Sequence, residues 1–388
     1  MPEPRIAAVG ASPIGATELT GRDLFTAALT EAFDGLPDPA ELVDAVYVGN
    51  QSETYEHQIM YGTLIAEWAG LRNVPAERVE GCAAAGALAL KHAVEDVRSG
   101  TRDAVLACGV EKMTAGGTAG ATNALSAAFD RALEQRSGIT APSQYALLAQ
   151  RYLHETDATE EELAHIAVKN HRNAASNPRA QYQQEIDSET VLESNYIAPP
   201  LKLFDCAPIS DGSAVVLVTS ADLAADLVAR DEQVRVGGVG AAANNIAVAE
   251  RDLTFVEGAN VAASHAFDQA DLEPADVDVA EVHDAFTVCE ALLSEAVGFA
   301  PRGLGYESAL EPGERSDGWT DVRLSTSGGL KARGHPIGAT GLMQAIEAYE
   351  QLTATATDER QVPDAEAALL VNEGGVADAV TVAHVLTN

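Results

Sequence analysis

The chain of 388 residues repeats one pattern of strands and helices in its two halves. The first half opens with a short apolar strand that runs into a glycine-rich turn, RIAAVGASPIGATE from Arg5. The second half opens in the same way, with VRVGGVGAAANN from Val234. An alanine-rich helix follows each strand, starting near Asp23 and near Ala259. A repeated supersecondary pattern indicates a duplicated structural unit.

The later segments of the two halves also correspond. A Gly/Ala-rich turn runs into a long amphipathic helix at VEGCAAAGALALKHAVEDV from Val79 and at SGGLKARGHPIGATGLMQAIEAY from Ser327. Alternating strands and helices predict an α/β protein with a mixed or largely parallel sheet covered by helices. We therefore expect two stacked halves, at residues 1–231 and 232–388.

The region from about 114 to 205 has no counterpart in the second half. It contains two stretches of helical periodicity, SQYALLAQRYLHE from Ser143 and TEEELAHIAVKNHRNAASNP from Thr159. Thr159 is a typical N-cap before an acidic first turn, and Pro178 marks the end of the second helix. An insertion of this length predicts a subdomain that covers the substrate site, rather than surface elaboration.

The chain is strongly acidic, with 59 Asp and Glu against 24 Lys and Arg and a formal charge of −35. Such a surface predicts no nucleic-acid or membrane partner. Its self-repulsion would largely vanish at about 1 M salt, where the screening length is about 3 Å. We predict a protein of a salt-accumulating, halophilic cytoplasm, since neither a signal peptide nor a membrane-length apolar run is present. The alternative is an ordinary acidic enzyme.

The four cysteines show no CxxC spacing, so neither disulfides nor a zinc site is expected. Cys108 and Cys206 are predicted to lie in buried strands, and Cys289 on the apolar face of a helix. No dinucleotide-binding or phosphate-binding glycine motif and no metal-ligand spacing occurs. We therefore expect no metal and no cofactor.

The segment SGGLKARGHPIGATG from Ser327 closely resembles the GHPxGATG signature of thiolases. HDAF at 283–286, NHxNAxxNPxAQ, PLKLFDCAPISDGSA and GVEKM resemble the archaeal and sterol-carrier branch of that superfamily. The resemblance runs along nearly the whole chain, with the motifs in the order of the family. The chain is therefore identified as similar to an acetyl-CoA acetyltransferase, or β-ketothiolase, and the acidic composition points to a haloarchaeal member.

This resemblance implies the thiolase fold, in which two duplicated βαβαβαββ halves stack as five layers, α-β-α-β-α, with an inserted loop domain. It implies a homodimer or a dimer of dimers, acting on acyl-CoA by Claisen condensation or by thiolysis of β-ketoacyl-CoA. Because the substrate's own CoA carries the acyl group, no further cofactor is needed. Archaeal relatives also imply a small OB-fold, zinc-ribbon partner protein. The alternative function is a non-catalytic acyl-CoA-binding or scaffold subunit.

Two histidines are candidate catalytic residues. His335 lies in the tight loop Gly334-His335-Pro336, where glycine allows close approach to a ligand and imidazole titrates near neutral pH. By resemblance it activates the nucleophile. His283 ends a predicted strand, where active-site crevices form, and by resemblance it helps to form an oxyanion hole and shuttles the α-proton. The structural alternatives are a loop histidine and a buried histidine satisfied by backbone.

Backbone groups are expected to support these histidines. Helices that begin near Ala83 and Gly338 would offer N–H groups to a developing oxyanion. The acid/base cysteine of the family is replaced by Asn372, and the alternative cysteine by Ala285, which suggests that His283 takes over that role. The predicted oxyanion or loop-supporting residues are Gly334, Gly338, Asn372 and Gly374.

The nucleophile position departs from the family pattern VxNxCxSG. Residues 79–86 read VEGCAAAG, which places Ala83 at the nucleophile position and Cys82 one residue earlier. One residue of α-helix turns a side chain by about 100°, so Cys82 is expected to point away from the usual line of attack. Three interpretations stay open: an engineered Ser or Cys replacement by Ala, a natural chain that lost its nucleophile or relies on a partner, and Cys82 as nucleophile in a shifted turn.

Overall fold

Twelve strands and twelve helices make up the computed structural model, which describes residues 2–388. The strands are β1 (Pro4–Ala11), β2 (Ala45–Gly49), β3 (Ala76–Val79), β4 (Ala104–Lys112), β5 (Tyr196–Ala198), β6 (Leu201–Lys202), β7 (Asp211–Ser220), β8 (Val234–Ala243), β9 (Val279–Glu281), β10 (Arg323–Leu324), β11 (Ala367–Gly374) and β12 (Val380–Thr387). The helices are α1 (Gly21–Ala32), α2 (Pro39–Leu42), α3 (Tyr61–Trp68), α4 (Ala85–Arg98), α5 (Gly117–Ser126), α6 (Ala141–Glu155), α7 (Glu160–Ala175), α8 (Ser188–Glu193), α9 (Ala221–Leu227), α10 (Glu257–Ala270), α11 (Thr287–Ala296) and α12 (Thr340–Leu352).

The two halves have the same strand order. The N-terminal half is ordered β3-β2-β4-β7-β1 and the C-terminal half β10-β9-β11-β12-β8. In each half the first three strands are parallel and the last two pair antiparallel. A short antiparallel pairing of β1 with β8, at Arg5–Arg235 and Ile6–Val234, joins the two arrays into one sheet of ten strands. The predicted duplication and α/β class are confirmed, and the boundary at 231/232 stays a prediction.

Helices α4 and α12 form the layer between the two arrays. Every residue of α12 except Tyr349 is buried, and the two helices contact each other as well as strands of both halves. Glycine permits this close approach, since a Cβ at Gly341 would lie 2.5 Å from the backbone nitrogen of Ala87. Helices α1 and α3 cover the outer face of the N-terminal array, and α10 covers that of the C-terminal array. The sequence of layers is therefore α-β-α-β-α.

The inserted region contains helices α5 to α8 and the ribbon of β5 and β6. Helix α7 begins at the predicted N-cap, because the Thr159 hydroxyl accepts a hydrogen bond from Glu161 N and the Glu162 carboxylate accepts from Thr159 N. The helix also packs against α11 and against the segment 329–333 of the C-terminal half. The insertion therefore covers the junction between the halves.

One predicted strand is shorter than expected. The strand that was expected to end at His283 leaves the sheet after Glu281, where β9 ends. The carbonyl of Val282 accepts hydrogen bonds from the Gln344 side chain at 3.0 Å and from Asp284 N at 3.0 Å, so that it is not available to a neighbouring strand. The chain turns at this point and directs residues 283–286 into the interior.

Candidate active site

A cavity of about 610 Å³ lies where the two halves and the insertion meet. The predicted site residues on its wall come from both halves, and the insertion closes it with apolar and aromatic side chains. Four of the predicted residues, Cys82, Ala83, His283 and His335, line the cavity. The wall also contains Gly375 and, from the insertion, Tyr145, His171, Tyr182, Leu203 and Phe204. A larger cavity of about 730 Å³ is lined by charged side chains and contains none of the predicted site residues.

The two candidate histidines lie side by side in this cavity. Their ring centroids are 5.1 Å apart and their planes are inclined by 80°. Both rings are buried and both line the cavity together with Ala83. The structure therefore brings His283, His335 and residue 83 to one cavity, and the chemical roles of the two histidines stay predictions.

His335 is held by its own loop. Gly334 has a φ of +112°, which favours glycine, and the backbone N–H of His335 donates to the Ser210 hydroxyl at 2.9 Å. The His335 Nδ1 atom lies 2.7 Å from the Thr340 hydroxyl, which itself donates to the Pro336 carbonyl at 3.0 Å. The hydroxyl oxygen is therefore the acceptor, so that Nδ1 carries the proton and Nε2 is left with a free lone pair.

His283 is held in the opposite tautomer. Its Nδ1 atom accepts a hydrogen bond of 3.0 Å from the side-chain amide of Asn372, and Nε2 consequently carries the proton. Burial lowers the pKa of His335 to about 3 and, with the charge of His335, lowers the pKa of His283 well below its usual value. Both rings are neutral at pH 7, one offering a base and the other a hydrogen-bond donor.

The candidate nucleophile lies in a strand-to-helix turn. Strand β3 ends at Val79, a short 3-10 turn spans Cys82–Ala84, and α4 follows. Cys82 has a φ of +51°, a left-handed conformation that is uncommon for residues other than glycine and that often marks functional sites. Strained turns of this kind present the nucleophile in other enzyme families.

Cys82 was expected to point away from the usual line of attack, and the structure places it in the wall of the cavity. Cys82 and Ala83 both line the cavity, and Cys82 is half-buried against the same apolar cluster as Ala83. The rotation of about 100° per residue applies within an α-helix, whereas Cys82 lies in a left-handed turn before α4 begins. Burial raises the pKa of the Cys82 thiol to about 11, and the backbone N–H groups of Gly375 and Ala83 oppose that rise.

The predicted supporting residues have different roles. Gly338 does not offer its N–H to an oxyanion, because that group donates to Glu111 Oε2 at 3.0 Å. A Cβ at Gly374 would overlap the Gly81 carbonyl oxygen, so the end of β11 packs directly against the nucleophile turn. Gly334 shapes the loop, and Asn372 orients His283 as described. The glycine that does line the cavity beside the thiol is Gly375, with a φ of +82°.

Several residues of the site were missed from the sequence. The buried Glu111 carboxylate accepts from Gln51 N at 2.7 Å, from the Asn50 side chain at 2.8 Å and from Gly338 N, and thereby joins the histidine loop to the N-terminal half. Burial raises its pKa to about 8. Its signal in the sequence was the motif GVEKM, which carried the resemblance without a role for the glutamate. Thr340 likewise lies inside the recognised GATG segment.

The other cysteines follow the predictions in part. Cys108 is buried in β4, and Cys289 is buried on α11. Cys206 was expected in a buried strand but lies outside the strands and lines the cavity, because residues 203–205 form a 3-10 turn that ends before it. Its thiol donates to the Lys202 carbonyl at 3.3 Å.

Known families match both halves of the chain. The family "Thiolase, N-terminal domain" matches residues 6–222, and "Thiolase C-terminal domain-like" matches residues 240–388. Together with the relatives described next, these matches show that the chain belongs to the thiolase family. It is an acyltransferase of the thiolase type.

Curated relatives agree with this assignment. The chain is 40% identical to an acetyl-CoA acetyltransferase of Methanothermobacter thermautotrophicus over 97% of this chain and 98% of the relative. It is 38% identical to one of Methanocaldococcus jannaschii over 96% and 95% of the two chains. It is 34% identical to the benzoylsuccinyl-CoA thiolase subunit BbsB of Thauera aromatica over 89% and 88%.

Two solved structures share the fold at lower identity. The Ltp2-ChsH2(DUF35) aldolase superposes with a TM-score of 0.81 at 23% identity, covering 99% of this chain and 97% of that one. A monomeric SCP2-thiolase-like protein of Mycobacterium smegmatis superposes with a TM-score of 0.74 at 20% identity, covering 99% and 77%.

Two further features concern the described part of the chain. None of the helices within residues 2–388 combines the length and the apolar character that crossing a bilayer requires. Within the same residues, no group of three or more His, Cys, Asp or Glu side chains is arranged to hold a metal ion.

Proposed function

We propose that the protein is a β-ketoacyl-CoA thiolase in which Cys82, rather than residue 83, carries the acyl group. The observation that carries the proposal is the left-handed strand-to-helix turn, which opens Cys82 onto the cavity that holds His283 and His335. A carbonyl placed there meets a thiol, a neutral base and a neutral donor.

The first half-reaction transfers an acyl group to the enzyme. His335 Nε2 takes the proton of the Cys82 thiol as the sulfur attacks the carbonyl carbon of an acyl-CoA thioester, so that no separate pair of thiolate and imidazolium forms first. The new bond joins Cys82 Sγ to the acyl carbon, and the bond from that carbon to the CoA sulfur breaks. The leaving CoA thiolate receives the proton from His335. The backbone N–H of Gly375 faces the reacting sulfur and contributes to the stabilisation of charge.

The second half-reaction forms the carbon–carbon bond. His335 removes a proton from the α-carbon of a second acyl-CoA, a step that the sequence resemblance assigned to His283. The His283 Nε2–H, which is protonated in this tautomer, instead donates to the carbonyl oxygen on which negative charge develops. The α-carbon then attacks the acyl group on Cys82, and the carbon–sulfur bond to Cys82 breaks. The released thiolate recovers the proton, and the product is a β-ketoacyl-CoA. Thiolysis is the reverse sequence.

A second function is a non-catalytic acyl-CoA-binding subunit. It is supported by Ala83, which occupies the position where the family pattern has its nucleophile and which cannot carry an acyl group. The same cavity would then bind a thioester without transferring it.

Mass spectrometry after incubation with acetyl-CoA separates the two functions. We expect the intact chain to gain one acetyl group, mapped to Cys82, and we expect Cys82→Ala to abolish the gain. Cys206→Ala removes the other half-buried cysteine of the cavity and is the matched control, which keeps the adduct. Acyl-CoA binding without any adduct, together with acetylation of Ala83→Cys, would favour the non-catalytic function.

We also propose a homo-oligomer and a small partner protein. Strand β3 is one of the two edge strands of the described sheet, and an edge strand leaves outer backbone groups free for pairing with a second copy. One structural neighbour, the Ltp2-ChsH2(DUF35) aldolase, is named for two components, which supports a search for such a partner. Analytical sedimentation of the purified chain tests the homo-oligomer, and a monomer would contradict it. Purification of the chain from its native host tests the partner protein, and the absence of any co-purifying protein would contradict that proposal.

We propose finally that the protein works in a halophilic cytoplasm. The support is the formal charge of −35.

A further inference from the structure

A lysine lies in the wall of the active-site cavity without a carboxylate partner. Lys331 belongs to a short π-helical segment, Gly329–Arg333, and only 1% of its surface is exposed. It lines the same cavity as His335, which follows four residues later. Lys331 therefore shares one cavity with the candidate reacting groups Cys82 and His335. π-Helical segments occur frequently at functional sites.

The ammonium group of Lys331 has fewer hydrogen-bond acceptors around it than it has N–H donors. Lys331 Nζ lies 3.4 Å from His171 Nε2, and the opposite ring nitrogen of His171 lies 3.1 Å from the Gln184 carbonyl. That carbonyl can only accept, so Nδ1 of His171 carries the proton and Nε2 accepts from the ammonium group. The rings of Tyr182 and Phe204 lie 5.9 Å and 5.6 Å from Nζ. An ammonium group has three donors, and two of them have no acceptor among the described residues.

The nearest acidic side chains are occupied by other donors. The Asp205 carboxylate accepts from Lys202 N at 2.8 Å and from Thr287 Oγ1 at 2.9 Å. The Asp284 carboxylate accepts from Leu330 N at 2.7 Å and from the Asn170 side chain at 2.7 Å. Neither lies within ion-pair distance of Lys331 Nζ.

Other buried or half-buried lysines of this chain contrast with Lys331. Lys169 pairs with Glu290 at 2.5 Å, Lys112 with Asp211 at 2.5 Å, and Lys202 with Glu160. Burying a charge without a partner is costly, and this chain has acidic side chains in large excess from which a partner could have come. The unpaired ammonium group therefore points to a ligand that supplies the missing anion.

We propose that Lys331 selects acyl-CoA substrates that bear a carboxylate on the acyl chain. This inference rests on the proposed thiolase function and adds its substrate class. The carboxylate lies against Nζ between Tyr182 and Phe204, where it receives the two free N–H groups, while the thioester lies beside His335 and Cys82. Burial lowers the pKa of Lys331 to about 8, which agrees with an ammonium group that lacks its counter-ion in the free enzyme.

Calorimetric titration with succinyl-CoA, butyryl-CoA and CoA tests the proposal without requiring turnover. Succinyl-CoA and butyryl-CoA have acyl chains of equal length, and only the former ends in a carboxylate. We expect succinyl-CoA to bind the unaltered protein at least about tenfold more tightly than butyryl-CoA. Lys331→Met, which keeps the length of the side chain and removes the charge, should abolish that preference and leave the Kd of butyryl-CoA unchanged or lower.

The remaining outcomes are also decisive. The surface variant Lys91→Met is the matched control and should keep the preference, since Lys91 pairs with Glu95 at the exposed side of α4. Equal affinities of the unaltered protein for succinyl-CoA and butyryl-CoA would overturn the role of Lys331. A loss of affinity for CoA itself in Lys331→Met also overturns it, because the lysine would then hold a phosphate of CoA. If no CoA ester binds at all, the thiolase proposal itself fails.

Discussion

Thr340 and Asn372 each contact one of the cavity histidines at its Nδ1 atom, and they do so with opposite hydrogen-bonding roles. The Thr340 hydroxyl accepts, which exposes a lone pair at Nε2 of His335. The Asn372 amide donates, which exposes a proton at Nε2 of His283. Two neighbouring and chemically identical rings thus become a base and a donor. Their low pKa values keep them in these neutral forms throughout the physiological range.

The role of Asn372 can be tested by substitution. Asn372→Ala removes the donor to His283 Nδ1, and the ring can then adopt either tautomer. We expect kcat for thiolysis to fall by about 10²-fold while KM changes little, because the donor acts on charge that develops in the transition state. Asn245→Ala, an exposed asparagine, is the control. A larger effect on KM than on kcat would show that Asn372 serves substrate binding instead.

The raised pKa of Cys82 predicts a specific pH dependence of its reactivity. Only the thiolate is alkylated, and with a pKa of about 11 its fraction increases about tenfold per pH unit below that value. The rate of carboxamidomethylation at Cys82, followed by peptide mass mapping with iodoacetamide, should therefore keep rising from pH 7 to pH 10. A plateau below pH 8 would mean that a neighbouring cation stabilises the thiolate.

At the scale of elements, the approach of α4 to α12 determines where the site forms. The nucleophile turn precedes α4 and the histidine loop precedes α12, and small residues let the two helices meet near these ends. A Cβ at Gly86 would lie 2.7 Å from the Gly338 carbonyl oxygen. The backbone contact of the two helices thus holds Cys82 and His335 on one cavity.

Substitution of Gly341 tests this contact. Gly341→Ala places a methyl group 2.5 Å from Ala87 N, and we expect a loss of about 1–3 kcal/mol in the free energy of unfolding. Gly120→Ala in α5 has no atom within 4 Å of the new Cβ and should be neutral or stabilising by up to about 1 kcal/mol. Chemical denaturation measures both, and equal stability of the two variants would contradict the packing argument.

The elements that could be predicted from sequence are those with local signals. Helix α7 was predicted because Thr159 and the acidic first turn are neighbours in the chain. The early end of β9 was missed, since it depends on the side chain of Gln344, which lies far away in sequence. The contact between Lys331 and His171 was missed for the same reason.

The orientation of Cys82 shows a different limit. The family pattern identified the turn, and the rule of helical rotation was then applied to Cys82 and Ala83, which both precede the first residue of α4, Ala85. A left-handed conformation at a non-glycine residue has no local signal here, because it is imposed by the packing of Gly374 and Gly375 against Gly81 and Cys82. The part of the site chemistry that depends on a strained backbone could therefore be described only from the structure.

For the whole molecule, the excess of acidic residues predicts a dependence on salt. The protein has a net charge of −35, and at low ionic strength its acidic side chains repel one another over distances comparable to the protein radius. Added salt screens this repulsion. We expect the melting temperature to rise as KCl is increased from about 0.1 M to about 1 M and above. Sucrose at equal osmolality is the control for general exclusion effects. Full stability without salt would contradict the halophilic assignment.

The central claim is that one cysteine and two histidines of opposite tautomer carry out thiolase chemistry in a shared cavity. The most direct measurement is the rate of acetoacetyl-CoA cleavage by CoA in high salt, compared among the unaltered chain, Cys82→Ala and Cys206→Ala. The account predicts measurable cleavage by the unaltered chain and by Cys206→Ala, and a loss of at least about 10³-fold in Cys82→Ala. Equal rates for the unaltered chain and Cys82→Ala would contradict it.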